Sequence, residues 1–411
     1  MKRTLLLIGI ALLGAAFAGA GFPAGQKIET LDGVRVVHNP AGGQWGKSPA
    51  VSLQPVRVLG DVDSDDEAIA FHMPSGLVVD AQGRLYVLDS GNHRVQVFGA
   101  DGKFLKTIGR QGQGPGEFYM PNAIDFDAQG NLYVCESQAA RIQAIAPDGK
   151  IAKTLKLTEG AVGDTRVLKR GGFVMTAGMG GGMIRIGGPQ GGQQEAAAPP
   201  LLKMLDAGGK TLREFGKPAD FGDFLVNRMA NQVLTALDES DNVYAIFPFQ
   251  NRIEKYSPDG KLLWKADRPL AYSMEIKAKG EMKTGNSSGG GQTVSIRMPD
   301  LARCAGGTAV DSKGRLWVVT LDRQLRENEK VSVSMMMSNN GGAISGKQEA
   351  KGAVDVRTTD AYRLEVYEPD GVLLGSVPVK TFVDGIFIKG DRLFLLDKVR
   401  GVQFHEFKII G

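Results

Sequence analysis

The chain has 411 residues, 42% of them hydrophobic and 23% charged, with a formal net charge of +4. That balance excludes an intrinsically disordered chain and one built of membrane spans. No basic stripe interleaved with aromatics runs through it, so nucleic acid is not an expected partner.

At the start, Lys2 and Arg3 precede an apolar run over residues 5–13, and Ala16-Phe17-Ala18 and Ala18-Gly19-Ala20 each offer a small-residue cleavage pattern. Residues 1–20 read as a secretory signal peptide, because the apolar run is too short for a lasting membrane anchor. Export to the periplasm or the outside follows, with no stable membrane span after cleavage. Residues 21–50 form a leader, with a strand expected near Val34-Arg35-Val36-Val37. Everything from 51 to 411 belongs to one repeat domain.

Within it, Asp80-Ala81-Gln82-Gly83-Arg84-Leu85-Tyr86-Val87 returns as Asp127-Ala128-Gln129-Gly130-Asn131-Leu132-Tyr133-Val134. Looser copies begin at Val167, Asp238, Asp311 and Ile388. Each copy joins two alternating strands through a Gly-containing turn. A second turn, Asp-Gly or Gly-Gly, recurs at residues 101, 148, 208, 259 and 370 and supplies the positive φ of a tight hairpin. The order spells six four-stranded antiparallel sheets. The sixth copy ends after its third strand, and residues 51–60 alternate like a missing fourth. Pairing the two chain ends closes a ring, and an all-β, six-bladed propeller is the expected fold.

Leu77-Val78-Val79-Asp80, Asp89 to Phe98 and the link Gly112-Gln113-Gly114-Pro115-Gly116-Glu117-Phe118 resemble the NHL-repeat six-bladed propellers. The resemblance is strong over residues 71–157 and weak in the third and sixth copies. It implies a scaffold and names no reaction, since propellers host many unrelated functions.

Three stretches depart from the repeat: 178–200, 271–303 and 323–360. Each follows a second or a fourth strand, so all three emerge on the face where the inner strands begin. Alternation predicts β-hairpins there, with residues 331–334 facing 354–357 and 274–276 facing 293–297. Such insertions suit a lid or a docking surface.

Site candidates come from the loops of that same face. Arg94, Arg141, Arg252 and Arg363 recur at the start of the third strand, with Arg400 close to that slot. Their recurrence points to fasteners between repeats, with anion binding open to any head that reaches the channel. Residues that vary between blades are the better ligand contacts: Asp89, Asn92 and His93 in blade one; Glu136 and Gln138 in blade two; Phe247, Phe249 and Asn251 in blade four; Asp322 and Arg323 in blade five; Asp397 and Lys398 in blade six. Together they suit a protein, peptide or glycan ligand.

No cofactor is expected. Lyase and lactonase relatives among six-bladed propellers hold a divalent ion at the channel mouth, but only four histidines exist and a three-His zinc site has no support. The competing reading is a calcium-assisted lyase or lactone hydrolase using Glu136, Asn251, Asp322 and Asp89. The acidic turn 61–67 lacks the Gly and the final ligand of an EF-hand. Met175, Met179, Met183 and Met335 to Met337 lack the Cys or His grouping of a copper(I) site. Cys135 and Cys304 lie near one face in opposite blades, and a bridge would need the Cys304 loop to fold inward.

Overall fold

The computed structural model describes residues 25–137, 139–157, 162–177, 199–286, 292–340 and 343–411. The expected signal peptide, nearly all of the first insertion and Gln138 lie outside them.

Six four-stranded antiparallel blades stand in a ring. Blade one is Pro74–Val79, Leu85–Asp89, Arg94–Phe98 and Phe104–Ile108; blade two is Ala123–Phe126, Leu132–Glu136, Arg141–Ile145 and Ile151–Lys156. Blade three is Val162–Val167, Phe173–Ala177, Leu202–Leu205 and Thr211–Phe215; blade four is Leu234–Leu237, Val243–Ile246, Ile253–Tyr256 and Leu262–Asp267. Blade five is Ala305–Val310, Leu316–Leu321, Tyr362–Tyr367 and Leu373–Val379. Blade six takes Gly385–Lys389, Arg392–Asp397 and Gln403–Ile410 from the chain end and its outer strand, Ser52–Leu59, from the start, paired antiparallel with Ser52 opposite Ile410. The first strands of successive blades touch one another all the way round, so the ring is closed.

The core lies between blades rather than within them. Leu77, Leu85, Val87 and Phe98 of blade one pack with Phe394, Leu396 and Phe404 of blade six, and equivalent clusters fill the other seams. Each sheet is apolar on both faces and needs both neighbours. In four blades a repeated turn Asp stops the inner hairpin: Asp80, Asp127, Asp238 and Asp311 all accept the backbone N–H groups two and four residues on.

The leader packs on the ring. Lys27–Leu31 and Val34–His38 form a hairpin whose second strand runs parallel to the outer strand of blade four, making that sheet six-stranded. From there the chain crosses the outer strand of blade five, where the Gln44 and Trp45 N–H groups donate to the Leu373 and Leu374 carbonyls, before entering blade six. This belt covers an edge that would otherwise stand open.

Two insertions carry hairpins, with other partners than alternation predicts. Val331–Asn340 pairs with Ala343–Gly352, and Glu281–Asn286 with Gln292–Arg297. Val356 instead turns inward onto the core between blades five and six, which is why 354–357 alternates, while Ile276 sits exposed outside any strand. The returning strand Ala343–Gly352 reads Ala-Ile-Ser-Gly-Lys-Gln-Glu-Ala-Lys-Gly and shows no apolar period to predict it. A short helix, Phe224–Ala230, capped by the Asp223 side chain on the Val226 N–H, sits in the link from blade three to blade four and was not expected.

Candidate functional site

The candidate residues lie at or just after the second strands of their blades or at the start of the third, and most are committed within their own seam. In blade two Glu136 is fully buried. It accepts two bonds from Arg141, both 2.7 Å, one from the Tyr119 N–H at 2.7 Å and one from the Gln143 amide at 3.2 Å. Arg141 then donates to the Gln113 and Glu117 carbonyls of the link from blade one. Blade one repeats the device. Asp89 accepts from the His72 N–H, the Asn92 amide and Arg94, and Arg94 reaches the Glu67 carbonyl of the preceding link. In blade four Arg252 pairs with Glu254 and donates to the Lys217 carbonyl. These arginines fasten each blade to the chain that enters it. A buried carboxylate–guanidinium pair holds this role because each group satisfies what the other leaves exposed.

Several other candidates are buried or committed to partners. Phe247 is fully buried beneath the Arg252 guanidinium, 4.0 Å from its ring centre, because its place at the end of an inner hairpin turns it into the seam between blades three and four. Phe249 is half-buried. Asn251 exchanges bonds with Arg268, accepting from its guanidinium at 2.8 Å and donating to its carbonyl. Asp322 pairs with Arg363, and Arg323 with Glu329 and Asp360. Asp397 accepts the Val399, Arg400 and Gly401 N–H groups of its own turn, and Arg400 covers the Phe382 ring at 3.3 Å while donating to the Glu329 carbonyl.

The set Glu136, Asn251, Asp322 and Asp89 therefore does not assemble around one ion. The four belong to four blades, and each is satisfied locally. Among the described residues no group of three His, Cys, Asp or Glu side chains could hold a metal. The acidic turn caps itself, with Asp61 accepting from the Asp63 N–H and Asp66 from the Ala68 N–H. Cys135 and Cys304 are separate, buried thiols. Cys304 donates to the Gln250 carbonyl at 3.2 Å, and burial pushes its pKa up to about 11.

His93 is held against the link from blade one to blade two. It adopts the left-handed region, φ +56°, its ring stacks on Tyr119 with centres 5.7 Å apart, and Nδ1 accepts the Met120 N–H at 2.9 Å. That acceptor must be unprotonated. Burial, and then the nearby His72, hold the ring below the ordinary imidazole range.

Residues that drew no notice in the sequence lie at the inner-strand starts. Asp384 immediately precedes the first strand of blade six, and its Oδ2 accepts the Lys398 N–H at 3.0 Å. Asn122 does the same for Ser137 in blade two, and Ser75 meets Ser90 in blade one. The slot is structural in origin; blade three also fills it with a carboxylate, Asp164, which Arg166 pairs at 3.0 Å, while blade six sets Asp384 beside Lys398. Burial raises Asp384 and lowers Lys398. No short motif marks the pair, because 14 residues and a hairpin separate its members.

With this geometry in view, residues 73–144, which span blade one and most of blade two, match the DUF5128 family model, described as a 6-bladed beta-propeller. No curated protein matches the chain. A member of the DUF4221 family from Bacteroides vulgatus superposes with a TM-score of 0.51 at 11% identity, over 88% of this chain and 99% of that one. A candidate exported protein from Bacteroides fragilis gives 0.49 at 10%, over 91% and 99%, and virginiamycin B lyase from Staphylococcus aureus gives 0.45 at 12%, over 88% and 100%. The chain is a six-bladed β-propeller. At such identity the likeness carries the fold and no chemistry.

Proposed function

We propose that this chain is an exported propeller of NHL type that binds an extended peptide segment of a protein partner on the face carrying its insertions. The supporting observation is the pair of two-stranded ribbons on that face. Among the described residues neither Glu281–Arg297 nor Val331–Gly352 pairs with a third strand, so both present unpaired backbone donors and acceptors. Such edges take an added strand, with main-chain hydrogen bonds supplying affinity. The carboxylates of the ring meanwhile serve its own seams, which leaves the face to recognition. Export rests on the signal pattern of residues 1–20.

The test replaces residues 332–351 by a short Gly-Ser turn and pans both proteins against a displayed library of random peptides. The full chain should enrich alternating, strand-forming sequences and the shortened one should not, with equal melting temperatures. Equal enrichment by both would remove the ribbon from the binding site.

A further inference from the structure

We infer that the channel mouth at blades five and six is a carboxylate-binding subsite, formed by Lys398, Arg303 and Arg400 around Asp384. This deepens the peptide-binding reading by naming a chemical group the mouth takes, and it rests on that reading only for the choice of face.

All four residues sit where strands begin or end on the insertion face. Asp384 precedes the inner strand of blade six, Arg303 precedes that of blade five, and Lys398 and Arg400 follow the second strand of blade six. Arg303 is drawn against its own inner strand, donating to the Ala305 carbonyl at 2.9 Å. A Cβ added at Gly306 would lie 3.3 Å from both Arg303 Nη2 and the Val383 carbonyl oxygen, which sets the guanidinium beside the backbone that leads into Asp384. The glycine keeps that space open.

The charges there do not balance. Asp397 spends its oxygens on three N–H groups of its own turn, and Asp384 Oδ2 is held by the Lys398 N–H. Arg303 and Arg400 find backbone carbonyls, and among the described residues Lys398 is bonded through its backbone N–H alone, its ammonium in no ion pair. Three cations face two carboxylates. A largely buried ammonium without a partner is costly, and a ligand carboxylate would relieve that cost while keeping water out. Burial lowers the pKa of Lys398, and the nearby Asp384 offsets this only in part. A peptide's C-terminal carboxylate is the form that suits the proposed partner.

The probe is N-acetylglycine, the smallest peptide carboxylate, with N-acetylglycinamide as its neutral match. Amine labelling at Lys398, mapped by mass spectrometry at neutral pH, should slow about tenfold when the acid is present at about ten times its dissociation constant. The amide should leave the rate unchanged. Asp384→Asn should bind the acid more tightly, since an amide oxygen still accepts the Lys398 N–H as Asn122 does for Ser137, and Lys398→Met should lose the response with its melting temperature retained. Equal effects of acid and amide, or an undiminished heat of acid binding in Lys398→Met, would overturn the subsite. Removing the ribbon tests the peptide reading separately, because the shortened protein should still respond to the acid.

Discussion

Asp241 of blade four caps blade three: its Oδ1 accepts the Lys169 N–H at 2.8 Å and its Oδ2 the Arg170 N–H at 3.1 Å. Blade three has Leu168 where the regular blades carry the turn Asp, so its first hairpin would otherwise lack these acceptors. The substitute comes from the position where other blades have Gly, and Asp241 accordingly holds φ +60°.

Asp241→Gly therefore sets two effects against each other. It relieves a left-handed non-glycine residue, worth about 1 kcal/mol. It also removes two charge-assisted bonds worth about 1.5–3 kcal/mol each when buried. The caps win, and the variant should lose about 2 kcal/mol in urea unfolding despite restoring the repeat's own residue. A gain in stability would show that the cap across the seam contributes nothing.

His93 makes stability depend on pH. Its folded pKa lies below the unfolded value near 6.5, so the stabilisation is complete above about pH 6.5 and is lost as pH falls through the lowered folded value. His405 is lowered by burial too and adds to the same limb. His93→Asn keeps an acceptor for the Met120 N–H and tolerates φ +56°. Melting curves from pH 8 to pH 5 should superpose at the upper end and fall less steeply in the variant; parallel curves would place the proton elsewhere.

Much of this was legible in advance, for local reasons. A turn Asp with its glycine, an aromatic such as Tyr86, Tyr133, Tyr244 or Trp317 in a constant slot, and an orphan strand at each end suffice to count blades and close the ring. What escaped depends on contacts made between repeats. Nothing near Leu168 announces that Asp241 will cap it. Val34–His38 reads as a strand but not as one that pairs in parallel with Leu262–Asp267. Phe247 reads as a surface aromatic because the sequence cannot say that Arg252 folds over it. Asp384 and Lys398 carry no motif, and only the ring brings Arg303, at the entry to blade five, beside them.

The two kinds of arginine pair should respond very differently. Glu136→Gln leaves Arg141, itself 8% exposed, without its charge partner, and should cost about 3 kcal/mol. Arg141→Lys should cost a similar amount, because an ammonium cannot hold Glu136 in two places and also reach the link carbonyls. Asp322→Asn breaks a pair whose members are both about one-third exposed and should cost less than about 1 kcal/mol. Urea midpoints of the three variants decide the matter, and equal losses would refute the distinction between seam and surface.

Asn39 is the buckle of the leader belt. Buried at 4% exposure, it donates to the Gly371 carbonyl at 3.0 Å and accepts the Leu373 N–H at 2.7 Å, tying the chain between blade four's added hairpin and blade five. Asn39→Leu would strand both backbone groups, at a cost of about 1–3 kcal/mol. The ring stays closed through Ser52–Leu59, so the loss should appear as local opening rather than global unfolding. Hydrogen exchange should speed up in Val34–His38 and along Leu262–Asp267, whose outer edge the hairpin covers, while Gln403–Ile410 keeps its protection. Proteolytic nicking within residues 25–48 should rise in step. If Leu262–Asp267 exchanges no faster in the variant, the hairpin is held by its strand pairing alone and the His38 contacts to Glu29 and Asp267, at 3.2 and 2.8 Å, become the next group to remove.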